Sequence, residues 1–175
     1  MTADSTLSIR RASASDAPLL AELGARTFYD AFIADNTAED MDAYMSVTFT
    51  PEKLAAELAA ADTAFFVAEI DGAAVGYAQL RAGEVPPCVE GARPVELARL
   101  YVSQAWHGRG VGEALMRACV EEACAAGHET IWLGVWERNR RAQAFYRKWD
   151  FRVVGDHVFV LGSDPQTDLL MERAL

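Results

Sequence analysis

Between Trp106 and Gly112 the chain reads Trp-His-Gly-Arg-Gly-Val-Gly, set between an apolar strand pattern and an amphipathic helix pattern. Several consecutive backbone N–H groups can converge there at the positive end of the helix, which makes an anion cradle. Glycine serves a cradle twice over: no side chain blocks a pyrophosphate, and positive φ is open to the turn. The spacing is not that of a P-loop, because no Gly-Lys-Ser/Thr follows. Nor is it the dinucleotide fingerprint, because Glu113 stands where the third glycine belongs. A tight strand-to-helix connection is the competing reading of the same glycines.

Farther along, Ile131, Leu133 and Val135 share one face of a strand while Trp132, Gly134 and Trp136 share the other, leaving a gap between two aromatic walls. Gly134 either opens room for a ligand or marks a bulge. Asn139 opens a helix pattern and can cap it through its side-chain oxygen. The three histidines, His107, His128 and His157, show neither HxH nor HExxH spacing, so no metal is expected. No GxSxG segment offers a serine nucleophile. Cys88, Cys119 and Cys124 are odd in number and form no CxxC pair, which speaks against a disulfide framework or a zinc site. Cys119 lies in line with Leu115 on a helix and reads as core.

These groups need elements to hold them. Leu7 to Arg11 alternates as a first strand, and Ser13 or Ser15 caps a helix carrying Leu19, Leu20, Leu23 and Phe28. Asn36 or Thr37 caps a second helix with Met41, Tyr44 and Met45, and Pro51 opens a third with Leu54 and Leu58. The strands Thr63–Ile70 and Ala73–Leu80 flank Asp71-Gly72, a two-residue hairpin signal. A loop with Pro86, Pro87, Gly91 and Pro94 precedes the strand Val95–Val102. After the glycine turn come helix Val111–Ala126, terminator Gly127, strand Thr130–Trp136, helix Arg140–Trp149 and two closing strands. The order β-α-α-α-β-β-β-α-β-α-β-β implies an α/β (α+β) protein, a mixed sheet with helices on its faces.

At 175 residues and 51% hydrophobic, the chain fits one domain spanning 1–175. Its formal charge of −10 and pI near 4.7 disfavour nucleic acid, and the only dense basic stretch, Arg138 to Arg141, is short. An acidic balance suits a cationic substrate. The opening MTADSTLSIRR carries no charged leader followed by an apolar stretch, and no run of about eighteen apolar residues occurs, so a cytoplasmic protein without membrane association is expected.

The segment ELARLYVSQAWHGRGVGEALM resembles the acetyl-CoA-binding motif of the GNAT N-acetyltransferase superfamily, with Gly110 and Gly112 in place. VWERNRRAQAFYRKWDF resembles the second motif of that family, with Asn139, Ala142, Phe145, Tyr146, Lys148 and Phe151 in register. FYDAFIADNTAEDMDAYM, IWLGVWE and GDHVF with GSDPQTDLLM are similar to its bacterial spermidine/spermine branch, so the likeness covers nearly the whole chain. Two positions depart from the pattern. His107 stands where Gln or Arg is usual, which weakens side-chain contact to a pyrophosphate and spares the backbone donors. Trp149-Asp150 replaces Leu-Gly before Phe151, so a left-handed cap would carry a modest penalty.

The resemblance implies a mostly antiparallel mixed sheet flanked by helices on both faces, with acetyl-CoA as donor and an amine as acceptor. Acetyl transfer asks for a base, N–H donors and an acid. The resemblance puts a general base at Glu96, often acting through water, and an acid at Tyr146; a solvated strand-edge carboxylate and a ring packed beside Phe145 are the alternatives. It places the coenzyme on Leu100, Tyr101 and Val102, on His107, Gly108, Arg109, Gly110, Val111, Gly112 and Glu113, and on Asn139, Ala142, Phe145, Tyr146 and Lys148. Phe28, Tyr29, Asp30, Phe32, Glu39 and Trp136 are candidates for the acceptor wall, with ordinary core and solvated surface as the alternative for those of the early helices. The expected reaction is direct attack by the amine of a small molecule, a polyamine being one candidate, in an assembly that can be a homodimer. A protein N-terminal or lysine acetyltransferase and a non-catalytic acyl-CoA-binding regulator are the rival readings.

Overall fold

The computed structural model describes residues 6–175. Its strands are β1 (Leu7–Arg11), β2 (Thr63–Ile70), β3 (Ala73–Arg81), β4 (Pro94–Val102), β5 (Thr130–Trp136), β6 (Arg152–Leu161) and β7 (Asp164–Ala174); its helices are α1 (Ala17–Phe32), α2 (Ala38–Thr48), α3 (Pro51–Ala59), α4 (Val111–Ala125) and α5 (Arg140–Lys148). This is the order read from periodicity and caps. Thr37 Oγ1 accepts from the Asp40 N–H at 3.1 Å, and Thr50 Oγ1 accepts from the Lys53 N–H at 3.1 Å, satisfying donors that helix geometry leaves free. Asn36, the other candidate cap, instead donates its side-chain amide to the Phe32 carbonyl. Asp71 and Gly72 turn the β2–β3 hairpin at φ 51° and 81°, both in the left-handed region that a two-residue turn uses.

The seven strands pair in the order β1-β2-β3-β4-β5-β7-β6, and every pair except β4–β5 is antiparallel. That one parallel ladder is short. It joins Pro94 to Thr130, Val95 to Ile131 and Glu96 to Trp132, after which β4 continues on β3 as far as Val102 and β5 continues on β7 as far as Trp136. The two strands therefore part in the middle of the sheet. A bulge sharpens the parting: Leu97 pairs with Leu80 and Arg99 with Gln79, leaving Ala98 as the extra residue. The extra residue switches the strand's alternation, so Leu97 and Leu100 pack into the same core while Arg99 faces away from it.

Helices α4 and α5 cover one face, burying Leu115, Met116, Cys119 and Tyr146 against Leu97, Ile131, Leu133 and Val135. On the other face Leu20, Leu23 and Leu54 of α1 and α3 bury against Phe65, Val67 and Tyr77. Truncating a fully buried leucine such as Leu54 to Ala costs about 2–5 kcal/mol. Helix α2 is held differently. The Asp40 carboxylate accepts from the Ser163 N–H at 2.7 Å and from its hydroxyl at 2.8 Å in the β6–β7 turn, and Gln166 of β7 donates to Asn36.

Candidate active site

Where β4 and β5 part, they leave a cavity of about 720 Å³ that passes between the two faces of the sheet. Its walls differ in kind.

On the α4 side the turn expected to hold an anion does present its main chain. Gly108 and Gly110 sit at φ 73° and 81°, and Gly110 is the left-handed N-cap of α4. The first helical bond runs from the Ala114 N–H to the Gly110 carbonyl, so the N–H groups of Val111, Gly112 and Glu113 have no acceptor inside the helix. The N–H groups of Gly108, Arg109 and Gly110 make no backbone hydrogen bond among the described residues. A Cβ at Gly112 would touch the Phe145 ring at 3.5 Å and fill the space in front of the helix end. Free donors, a helix terminus and no side chain in the way fit a pyrophosphate. His107 is less of a loss than its departure from the family pattern implied. Its Nε2–H donates to the Val102 carbonyl at 2.7 Å, burial lowers its pKa and keeps the ring neutral, and Nδ1 accepts from Arg141. The imidazole thus steadies a guanidinium that lines the cavity.

From α5, Asn139, Ala142, Phe145, Tyr146 and Lys148 all line the cavity. Asn139 Oδ1 caps the helix by accepting from the Ala142 N–H at 3.1 Å. Asp150 takes the left-handed cap at φ 64°, and the Phe151 N–H reaches back to the Tyr146 carbonyl at 3.1 Å, so the cap forms without glycine. Tyr146 is both packed and at the cavity wall. Its ring packs between Phe145 and Phe151, with centroids 5.5 and 5.7 Å away, and it also lines the cavity. Its hydroxyl makes no hydrogen bond among the described residues, and burial raises its pKa well above the usual phenol value, so it keeps its proton at neutral pH.

On the α1–α2 side the wall is made of side chains. Phe28, Phe32 and Trp136, three of the candidates for the acceptor wall, line the cavity together with Tyr44 and Phe159. The rings touch edge to face or stacked, Phe32 on Trp136 at 5.8 Å and Phe28 on Tyr44 at 4.9 Å. Another candidate, Tyr29, is 42% exposed and is not part of the lining. Arg99 lies in the wall with its guanidinium tied to Glu57 through both nitrogens, a pair that is largely buried. Asp168 of β7 stands opposite Trp136, beside the room left by Gly134.

Of the coenzyme candidates, Leu100, Tyr101, Val102, His107, Gly108, Gly112 and Glu113 line the cavity beside the α5 residues. Arg109, Gly110 and Val111 do not: the Arg109 guanidinium stacks on Trp106 at 5.0 Å, Val111 is in the core, and Gly110 acts through its conformation. Glu96 stands apart. Its carboxylate accepts from Arg81 at 3.0 and 2.7 Å, and it is not among the residues that face the cavity. Sequence reasoning missed Arg99, Arg141, Phe159, Gln166 and Asp168. Alternation along β7 was available, but only its pairing with β5 shows that Asp168 faces Trp136.

Residues 25–151 match the model of the acetyltransferase (GNAT) family. An uncharacterized N-acetyltransferase of Lactobacillus delbrueckii subsp. lactis is 33% identical over 167 residues, covering 95% of this chain and 96% of its own length. One of Mycobacterium tuberculosis is 35% identical, covering 92% of this chain and 99% of its own. Among solved structures, the PaiA N-acetyltransferase of Thermoplasma acidophilum in complex with coenzyme A superposes with a TM-score of 0.82 at 22% identity, covering 97% and 99% of the two chains. With the fold, the anion cradle and these matches together, the chain belongs to the acetyltransferase (GNAT) family and is an acetyl-CoA-dependent N-acetyltransferase.

Proposed function

We propose that the acceptor is the primary amine of a small molecule, which enters from the α1–α2 side and attacks acetyl-CoA directly while Tyr146 protonates the departing thiolate. The observation that carries this reading is the aromatic chamber of Phe28, Phe32, Tyr44 and Trp136, which meets the coenzyme wall where β4 and β5 part. Aromatic faces attract an ammonium by about 0.5–2 kcal/mol each when it is desolvated. Helix α2, tied to the β6–β7 turn, brings Tyr44 into the chamber wall, and a chamber walled by rings from several elements suits a small acceptor better than a protein segment. Coenzyme A would lie with its pyrophosphate on the 108–112 turn and its pantetheine arm along Leu100–Val102, where β4 has lost its β5 partner.

A polyamine is the finer reading. Two carboxylates on the acceptor side, Asp30, exposed, and Asp168, largely buried, are suited to ammonium groups of one chain. Of the other acidic residues of the early helices, Asp40 is engaged by Ser163 and Thr37. An amine panel with acetyl-CoA, following thiol release and identifying products by mass, tests both levels. Spermidine should exceed a neutral-tailed amine of equal length by roughly 3–10-fold in kcat/KM at low salt, and added salt should shrink the gap. Equal values would remove the polyamine and leave amine acetylation in place.

A further inference from the structure

We propose that Asp168, backed by His157, is the group that receives the acceptor's ammonium and removes its proton. The role presupposes acetyl transfer to a small amine and supplies the base that transfer needs.

The placement comes from strand register. Asp168 of β7 is paired with Trp136 of β5 on one side and with His157 of β6 on the other, so the three side chains stand in a row across the sheet. Two residues before Trp136 on the same face of β5 comes Gly134, whose missing side chain leaves the space into which Asp168 reaches. A Cβ there would lie 3.4 Å from Asp168 Oδ2 and 3.5 Å from His157 Nε2. The Asp168 carboxylate borders the cavity with only 16% of its side chain exposed, and no donor among the described residues lies within 3.5 Å of it in hydrogen-bonding geometry. Among the described residues its charged partner is His157, 3.8 Å away and available only when the imidazole is protonated.

A carboxylate taken from water without donors costs the fold stability. A cationic ligand held between Phe32, Trp136 and Tyr44 removes that cost when it binds, and it is the kind of partner such a group lacks. Glu96, the position that family resemblance favours, is already held by Arg81 and does not face the cavity. Burial raises the Asp168 pKa above the ordinary aspartate value, an effect that His157 partly offsets, so the carboxylate is a better proton acceptor than an exposed one. The titratable groups around it are His157 from β6 and Tyr44 from α2; α1 presents Phe28 and Phe32, and β5 presents Gly134 and Trp136.

The protons then balance. The ammonium gives one proton to Asp168, which returns it to solvent by way of a water bridging to His157, 3.8 Å away with 44% of its side chain exposed. The neutral nitrogen attacks the thioester carbonyl carbon. The C–S bond breaks with its electron pair on sulfur, the thiolate takes the Tyr146 hydroxyl proton, and the nitrogen's second proton, received by Asp168, restores the tyrosine through solvent. One proton ends on sulfur and one in water.

The test compares Asp168→Asn, Asp168→Ala, His157→Gln and Glu96→Gln with the full chain, using the most active amine of the panel. Asp168→Asn should lower kcat/KM roughly 100-fold with coenzyme A affinity within about 2-fold, and His157→Gln roughly 5–20-fold with a changed acid limb of the pH–rate profile. Formate should restore part of the Asp168→Ala activity where chloride does not. Because the folded-state pKa of Asp168 is raised, ionisation costs the fold at every pH above the ordinary value of 3.8, so the Asn variant should melt no lower than the parent at neutral pH. A loss in Glu96→Gln equal to or greater than that in Asp168→Asn, a melting point lowered by more than about 5 °C, or no rescue by formate would overturn the assignment. Asp168→Asn turning over at the parent rate would overturn it and leave amine acetylation standing; a parent enzyme that releases no thiol with any amine would overturn both.

Discussion

Across the parted strands, the wall at α4 borders the cavity with a glycine turn and a helix end, Gly108, Gly112 and Glu113, whose N–H groups have no backbone acceptor among the described residues, while the wall at α1, α2 and β7 offers side chains drawn from Phe28 to Asp168. The first depends on φ values and on the absence of side chains, which a short stretch of sequence largely decides. The second exists only after β5, β6 and β7 have paired and α2 has been tied to the β6–β7 turn. A site made of main-chain donors can keep its shape while its side chains change, as the glycine turn does here with His107 hydrogen-bonded to the Val102 carbonyl. An acceptor has to be told apart from other amines, and that work falls to groups that can change one at a time.

Damage to the main-chain wall should give the largest effect. Gly110→Asp puts a side chain on a residue at φ 81° and a negative charge at the turn proposed to hold the phosphates; Gly112→Asp fills the space before Phe145. Each should weaken coenzyme A binding by roughly 100-fold or more in calorimetry, because one opposed charge and lost close approach act on the same anion. Affinity unchanged in both variants would move the anion site elsewhere and dissolve the contrast between the walls.

Tyr146 lies between the walls and tests which of them it serves. Tyr146→Phe keeps the ring between Phe145 and Phe151 and removes the hydroxyl alone. A loss of roughly 10–100-fold in kcat, with coenzyme affinity and melting temperature preserved, is expected of a proton donor to the thiolate. A rapid-quench measurement that finds the chemical step unaltered would assign the residue to packing alone.

Legibility in the sequence follows the same division. Helix and strand order, the Thr37 cap, Pro51 at the start of α3, the Asp71-Gly72 turn and the left-handed Asp150 are all decided within a few residues of themselves, so spacing and propensity reach them. The bulge at Ala98 carries no glycine or proline to announce it, and it decides which side of β4 meets the acceptor wall. Glu96 reads as a reactive carboxylate until β3 brings Arg81 against it, and Asp168 reads as an ordinary strand carboxylate until β5 leaves Gly134 beneath it. Arg141 was visible as part of a basic run; its place at the glycine turn depends on the ring of His107, thirty-four positions away in sequence.

The smallest expected effect concerns how the acceptor wall is kept in place. Asp40 contacts no cavity residue's reactive atoms; it ties the start of α2 to Ser163, with Thr37 donating to the same carboxylate, and α2 in turn carries Tyr44 into the wall. Asp40→Ala should loosen that wall without touching the glycine turn. An increase of roughly 2–5-fold in acceptor KM is expected, with kcat and coenzyme A affinity close to the parent, as for removal of a tether from a covering element. The donors from Ser163, first its N–H, and from Thr37 hold the Asp40 pKa below the ordinary 3.8. A group with a depressed folded pKa contributes fully above its unfolded value and loses the contribution as pH falls through the folded one, so the tether is constant throughout the neutral range. Any change in acceptor KM between pH 6 and pH 9 must then come from the acceptor or from groups facing it. If Asp40→Ala alters that pH dependence, or weakens coenzyme A and acceptor alike, the two walls are mechanically coupled and the separation between them fails.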